Sequence, residues 1–299
     1  MRGFAWLSLV IPRHMMINSP PLAPASLADA LRRVWDPPCW LPACLQDHAR
    51  RLYDDRDHGA ATLAAWAVEL VSLGADGELV AALRPTMVAT VNAARAASAA
   101  ARKGLQFDVE QQLLEAVASA AHAGAALFKP GQRIATFSRS GTIAKYAGAR
   151  SVLSCAALTP SVVHRCLSHN SAPALAAVYV GESLPGAEGR LMAQDLAAAS
   201  KLREVTHVLG DDDLIALVAQ GPAKVDAVVM GADAVLPNGV VVNKVGSARL
   251  AVAAKTAGVP VYVVCDRWKA WDGLYAPPME DTFEVVPSDT ITRVVGCRD

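Results

Sequence analysis

The spacing of apolar residues divides the chain into two parts of different character. From about Ala49 to Leu127 they recur at intervals of three and four, with abundant alanine, a period typical of amphipathic helices. Proline and glycine interrupt helices, so Arg84-Pro85 and Gly104 separate the predicted segments. The sequence thus predicts helices over 61–73, 86–102 and 109–127.

After Pro130 the pattern changes to short apolar runs that alternate with helical stretches. Runs of this kind fit strands that are covered on both faces. Strands are predicted over 133–136, 176–180, 205–209, 227–230 and 259–265. Helices are predicted over 141–149, 189–199, 212–219 and 248–257. Alternation of strand and helix predicts a parallel sheet. We therefore expect an α/β fold with an N-terminal extension (1–48), a helical domain (49–129) and a parallel-sheet domain (130–299).

Composition narrows the classes of function. The 299 residues are 53% hydrophobic and 19% charged, as in an ordered globular protein. Lys+Arg and Asp+Glu both number 28, which argues against direct nucleic-acid binding but still allows a local site for one phosphate. The six cysteines lack zinc-ligand spacing, and the apolar stretch Phe4–Pro12 is too short for a membrane span. We expect a cytoplasmic protein with reduced thiols, no metal and no membrane contact.

Ligands of parallel sheets bind beyond the carboxyl ends of the strands, so the residues after each predicted strand are informative. Ser138 and Ser140 follow the first strand and precede a helix. They fit an anion site at a helix N-terminus and, equally, a plain helix cap. Glu182 follows the second strand in a turn-rich segment that by itself indicates only a loop.

The segment after the fourth strand carries more chemistry. Asp233 directly follows a buried strand, where a carboxylate suits acid–base work. Asn243-Lys244 then precedes Gly246-Ser247 at the start of a helix, which suits a phosphate. The alternative is an aspartate cap and a surface lysine. Pro237-Asn238-Gly239 predicts a tight hairpin turn between the two.

Other cations lie at neighbouring boundaries. Lys269 follows the last predicted strand, and His58-Gly59 and Arg84 lie at helix ends in the first part. These residues fit either helix caps or a second anion cradle. The Walker and dinucleotide-binding motifs are absent, so no cofactor is expected.

These motifs together resemble one superfamily, which contains the alpha, beta and delta subunits of translation initiation factor 2B, ribose-1,5-bisphosphate isomerase and methylthioribose-1-phosphate isomerase. The resemblance rests on Gly231-Ala-Asp233, Asn238-Gly239 and Asn243-Lys244-Val-Gly246, and weaker matches extend it over most of residues 50–295. It implies a C-terminal Rossmann-like domain and pairing into homodimers or higher oligomers through that domain.

The resemblance also implies roles for individual residues. Asp233 would be the acid–base residue, and Ser138 stands where the isomerases have a catalytic cysteine. The substrate-binding set would comprise His58, Gly59, Ala60, Arg84, Ser140, Glu182, Asn243, Lys244 and Lys269. Two further departures are Leu184 in place of an expected arginine, and Asp57-His58-Gly59-Ala60 in place of the Arg-Gly-Ala-Gly loop of active isomerases.

Two functions follow from this pattern. One is a sugar-phosphate isomerase, similar to ribose-1,5-bisphosphate isomerase, in which Asp233 works with Ser138 or His58. The other is a noncatalytic regulatory subunit that binds a phosphorylated sugar or nucleotide, for which serine at the cysteine position is typical. A sugar-phosphate binder outside translation is a third interpretation.

Overall fold

The computed structural model describes residues 36–55, 59–138, 162–169, 171–184, 186–198, 202–273 and 280–298. The helix predicted over 141–149 and the predicted site residues His58 and Ser140 lie outside these ranges.

The N-terminal part of the described chain is helical. Its helices are α1 (Gln46–Asp54), α2 (Ala60–Ser72), α3 (Gly77–Leu83), α4 (Val88–Ala101) and α5 (Val109–Ala125). The prediction found α2, α4 and α5 but missed α3 as a separate helix. That helix begins at Asp76, whose carboxylate accepts hydrogen bonds from the N–H groups of Glu78 and Leu79. Leu41 and Leu45, assigned to the extension, are buried in the same helical core.

The C-terminal part is built around a parallel sheet. Its strands are β1 (Arg133–Phe137), β2 (Ala177–Gly181), β3 (Thr206–Leu209), β4 (Ala227–Met230), β5 (Ala234–Val235), β6 (Val241–Lys244), β7 (Val261–Val264), β8 (Phe283–Val286) and β9 (Arg293–Val295). Its helices are α6 (Val162–Ser168), α7 (Glu188–Ala198), α8 (Asp211–Val218) and α9 (Ser247–Thr256). In the order β3-β2-β1-β4-β7-β9, all described pairings are parallel. The expected α/β fold is confirmed.

A second, antiparallel sheet covers one end of the first. It has the order β5-β6-β8, and the predicted turn closes its hairpin, with the Gly239 N–H donating to the Leu236 carbonyl at 3.0 Å. The sequence predicted the turn but not the sheet. Val235, Val241 and Val286 of this sheet pack in one cluster with Phe137 and Met230. These last two residues end β1 and β4, so the small sheet lies at the carboxyl ends of the central strands.

Helix α5 and the side chain of Asn92 both help to join the two parts. The first half of α5 buries Leu113 and Ala116 in the helical core, and its second half buries Ala120 and Ala121 against the parallel sheet. The Asn92 amide of α4 donates to the carbonyls of Trp268 and Ala270 after β7. The helical part therefore packs beside the carboxyl edge of the sheet. None of the helices in the described ranges is long and apolar enough to cross a membrane.

Candidate functional site

The strand order creates a crevice at the carboxyl edge of the sheet. β1 and β4 are neighbours, but β2 and β3 lie beyond β1 while β7 and β9 lie beyond β4. The chain connections thus leave the two central strands in opposite directions, and open α/β sheets bind ligands at such a point. Ser138 follows β1 and Asp233 follows β4, so both catalytic candidates lie at this crevice.

Asp233 forms an ion pair with a buried lysine. The Lys269 ammonium lies 3.2 Å from Asp233 Oδ1, and the exposed fractions of the two side chains are 7% and 22%. Burial by itself would lower the pKa of Lys269, but the attraction of Asp233 and Asp266 outweighs it and the pKa is raised. Lys269 therefore stays charged, and its ammonium contacts the Asp233 carboxylate. Because so little of its surface is exposed, Lys269 serves mainly as the ionic partner of Asp233 and is poorly accessible to a phosphate.

Asp266 stabilises the turn that carries this lysine. Its carboxylate accepts the Trp268 N–H at 2.9 Å at the start of the short turn that contains Lys269. Burial raises the pKa of Asp266, and the nearby Lys269 ammonium only partly offsets this. Two carboxylates, Asp233 from the segment after β4 and Asp266 from the end of β7, thus act on one ammonium.

Lys244 forms a second ion pair across the crevice. Its ammonium lies 2.7 Å from Glu188 Oε1, and the exposed fractions of the side chains are 12% and 21%. Lys244 comes from β6 and Glu188 begins α7 beyond β2, so the pair spans the ends of several strands. The neighbouring Asn243 is buried and donates to Ser247 Oγ at 2.9 Å. Asn243 therefore fixes the start of α9.

Ser138 is held in an uncommon backbone conformation. It has φ 61°, in the left-handed region that non-glycine residues seldom adopt, and its N–H donates to Ser183 Oγ at 2.7 Å. Ser183 also has a positive φ, 62°, and its own N–H donates to the Asp211 carboxylate. Strained backbone of this kind is concentrated at functional sites.

The predicted anion site at the start of α9 is occupied by the protein itself. The N–H groups of Gly246 and Ala248 both donate to Glu284 Oε1 at 2.8 Å. A carboxylate from β8 therefore already satisfies the positive end of this helix. The expectation that Gly246-Ser247 would present free amides to a phosphate is corrected on this point.

The remaining predicted residues lie in other local contacts. Arg84 is buried, with Nη2 donating to Glu280 Oε1 at 2.9 Å and Nη1 to the carbonyls of Leu52 and Asp55. Gly59 precedes Ala60 at the start of α2 in an extended conformation. Glu182 forms an ion pair with Arg190. These contacts define the surroundings of Arg84, Gly59, Ala60 and Glu182 without assigning them a ligand.

The sequence reasoning missed Glu188 and Asp266 as parts of the charged cluster. Asp266 lies two residues after β7, and Glu188 begins the helix that follows β2; these positions were the signals available. Cys166, the described thiol nearest in sequence to the missing catalytic cysteine, lies fully buried in α6. Burial raises the pKa of its thiol to about 12, so it does not supply a thiolate at neutral pH.

Comparison with known proteins identifies relatives of two kinds. The methylthioribose-1-phosphate isomerase of Citrobacter koseri is 35% identical over 158 residues, which are 52% of this chain and 41% of that protein. The 5-deoxyribose 1-phosphate isomerase of Petrotoga mobilis is 32% identical over 159 residues, covering 53% of this chain and 40% of that one. The chain thus spans about two fifths of the length of these curated relatives.

Among solved structures, the translation initiation factor eIF-2B from Pyrococcus horikoshii has a TM-score of 0.63 at 20% identity. The match covers 86% of this chain and 96% of that one, which establishes a common fold. Residues 58–296 match the sequence pattern of the initiation factor 2 subunit family. Because that match covers most of the sequence, the chain belongs to this family.

Proposed function

We propose that the chain is an isomerase that converts an aldose 1-phosphate into the corresponding 2-ketose. The observation that carries this proposal is the Asp233 carboxylate, fixed by the buried Lys269 ammonium beside the β1–β4 crevice. Burying an ion pair at the end of a strand costs desolvation free energy. A segment that only served to complete the fold would not need such a pair. The isomerase names of the two curated relatives agree with this chemistry.

The reaction needs a group that moves a proton between adjacent carbons. The bond between C1 and the ring oxygen breaks and the ring oxygen takes up a proton, while C2 loses its hydrogen as a proton. C1 then takes up a proton and the C2 hydroxyl releases its own as the C2 carbonyl forms, so two protons are taken up, two are released, and atoms and electrons balance. Asp233 would take the proton from C2 and return it to C1, as a carboxylate positioned at the reacting atoms can. Lys269 would hold the carboxylate in place and stabilise its charge.

The phosphate would bind on the Lys244 side of the crevice. An ammonium group has three donors, and Glu188 accepts one of them. The others are sufficient for one phosphate. Ser138 would face the sugar from the end of β1, as a hydrogen-bonding group rather than a base, because a hydroxyl is a far weaker acid than a thiol.

A noncatalytic regulatory subunit is the second candidate, and the serine at position 138 favours it. The Asp233–Lys269 pair favours the isomerase. Under the regulatory interpretation the crevice would bind a phosphorylated ligand without converting it.

One assay separates the two functions. The purified chain is incubated with methylthioribose 1-phosphate, 5-deoxyribose 1-phosphate and ribose 1,5-bisphosphate, and ketose formation is followed by ¹³C NMR. Turnover of at least one compound is expected. Binding without turnover would support the regulatory function, and the absence of both would contradict any sugar-phosphate site.

We also propose that the chain forms a homodimer through its sheet domain. Val208 on the edge strand β3 and Leu184 in the loop after β2 are apolar, and their exposed fractions are 42% and 54%. Among the described strands β3 pairs on one side only, with β2, and a strand edge with exposed apolar side chains favours association with a second copy.

A further inference from the structure

The Lys244–Glu188 pair bears on which sugar phosphate fits the crevice. Lys244 and Lys269 reach the crevice, and each is already paired with a carboxylate of the chain, Glu188 and Asp233. Buried Arg84 is likewise paired with Glu280. Within the part of the chain that the structure describes, these three cations are therefore already neutralised by carboxylates of the protein.

The position of Glu188 is built into the fold. Gly189, the next residue, packs so closely on β2 that a Cβ there would lie 1.7 Å from the Gly181 carbonyl oxygen. A Cβ at Gly186 would lie 2.6 Å from the Glu188 carboxylate, so Gly186 leaves space for that group. The start of α7 is thus fixed against the end of β2, with Glu188 directed to Lys244.

Glu188 also depends on Lys244. Its second oxygen, Oε2, is buried, and no donor among the described residues lies within hydrogen-bonding distance of it. A buried carboxylate that loses its ionic partner is strongly destabilised. A phosphate bound at Lys244 therefore does not displace Glu188 but lies close to its negative charge.

The neighbouring loop adds no compensating cation. Between the end of β2 and the first turn of α7, the charged residues are Glu182, Glu188 and Arg190. Arg190 is already paired with Glu182. Within this segment the charges of Glu182 and Arg190 cancel, and Glu188 remains as the carboxylate that faces Lys244.

We propose that Glu188 is a specificity-determining residue, which makes the crevice select a sugar with a single phosphate over a sugar bisphosphate. This inference rests on the proposed function and deepens it. The remaining N–H donors of Lys244 can bind one phosphate. A second dianionic phosphate would find the described cations of the crevice already paired with carboxylates. Like charges brought together in a binding site lower affinity substantially.

The test compares two ligands that differ by one phosphate, ribose 1-phosphate and ribose 1,5-bisphosphate, by titration calorimetry at low ionic strength. The wild-type chain is expected to bind the monophosphate at least about tenfold more tightly. In Glu188→Gln, which keeps the shape and removes the charge, the ratio of the two Kd values should shift about tenfold toward the bisphosphate. Glu188→Ala should shift it in the same direction, which guards against a folding defect in one variant.

Asp212→Asn is the matched control, because it also removes one negative charge but at an exposed surface pair with Arg249. It should leave the ratio unchanged. Equal or tighter binding of the bisphosphate by the wild type, or an unchanged ratio in both Glu188 variants, overturns the inference while the proposed function stands. Failure of the wild type to bind either ligand contradicts the proposed function and the inference together.

Discussion

Lys269 shows how single residues shape this site. Its ammonium is almost completely buried and stays charged because Asp233 and Asp266 lie beside it. Burial raises the pKa of Asp266, and the attraction of Lys269 and Arg267 offsets only part of this. The ionisation of Asp266 therefore opposes folding.

This arrangement predicts a pH-dependent effect of Asp266→Asn. A carboxyl group with a raised pKa binds its proton more tightly in the folded than in the unfolded chain, so the contribution of Asp266 to stability falls as the pH rises from about 4 through the raised pKa. Asparagine does not titrate and still offers an oxygen to the Trp268 N–H. The difference in Tm, variant minus wild type, should be more positive at pH 7 than at pH 4. Each unit of pKa shift corresponds to about 1.4 kcal/mol.

Asp212→Asn, at an exposed position, serves as the control and should show a nearly constant difference in Tm. A Tm difference for Asp266→Asn that is equal at both pH values, or that decreases toward pH 7, would rule out burial of an ionised Asp266.

For individual residues, the sequence identified the charged side chains of the candidate site but not their ionic partners. Asp233 and Lys269 were predicted from their positions after strands, and Lys244 from its position before a helix. Their partners are distant along the chain, since Lys244 pairs with Glu188 and Glu284 caps α9. Such pairings depend on the tertiary fold, and residue spacing alone does not contain them.

At the scale of elements, a close contact fixes the antiparallel sheet over the crevice. Gly246, between β6 and α9, has φ 103°, and a Cβ there would lie 2.6 Å from the Phe137 ring. Phe137 is the last residue of β1. The turn that follows Lys244 thus rests directly on the strand that leads to Ser138, which couples the two sides of the site.

Gly246→Ala should therefore be more destabilising than the same change at Gly74. Gly74 has a similar φ of 98°, but no atom lies within 4 Å of the place that an alanine Cβ would take, so its substitution costs only about 1–2 kcal/mol of backbone strain. At Gly246 the clash should add about 1–3 kcal/mol. Thermal unfolding of both variants measures the difference, and equal losses would show that Phe137 does not restrict the turn.

The elements themselves differed in how well the sequence predicted them. The main helices and five strands of the parallel sheet (β1, β2, β3, β4 and β7) were found within a few residues, because their periodicity or apolar runs are local signals. β5, with two residues, and β6, β8 and β9 were missed. Short strands of this kind are stabilised by their pairing partners, and pairing is not visible in a local pattern.

At the scale of the whole molecule, the exposed edge strand predicts self-association. Sedimentation velocity at micromolar concentration should detect a dimer, and Val208→Glu on β3 should dissociate it. Val252→Glu, at an exposed position of 49% on α9, is the control and should leave the dimer intact. A monomeric wild-type chain would contradict the proposed homodimer.

The two halves of the molecule meet beside the crevice, where Asn92 of α4 holds the segment that carries Lys269. The helical part therefore stabilises the same turn that positions the partner of Asp233. The proposed isomerase activity depends on proton transfer by Asp233 at the crevice.

The most direct test measures ligand affinity and the rate of ketose formation for Asp233→Asn beside the wild type, with the aldose 1-phosphate that the wild type converts fastest. We predict that the Kd changes less than about threefold, while the rate falls by about 10²–10⁴-fold, the usual contribution of a positioned acid–base group. A variant that forms ketose at the wild-type rate would contradict the role of Asp233 as the acid–base residue.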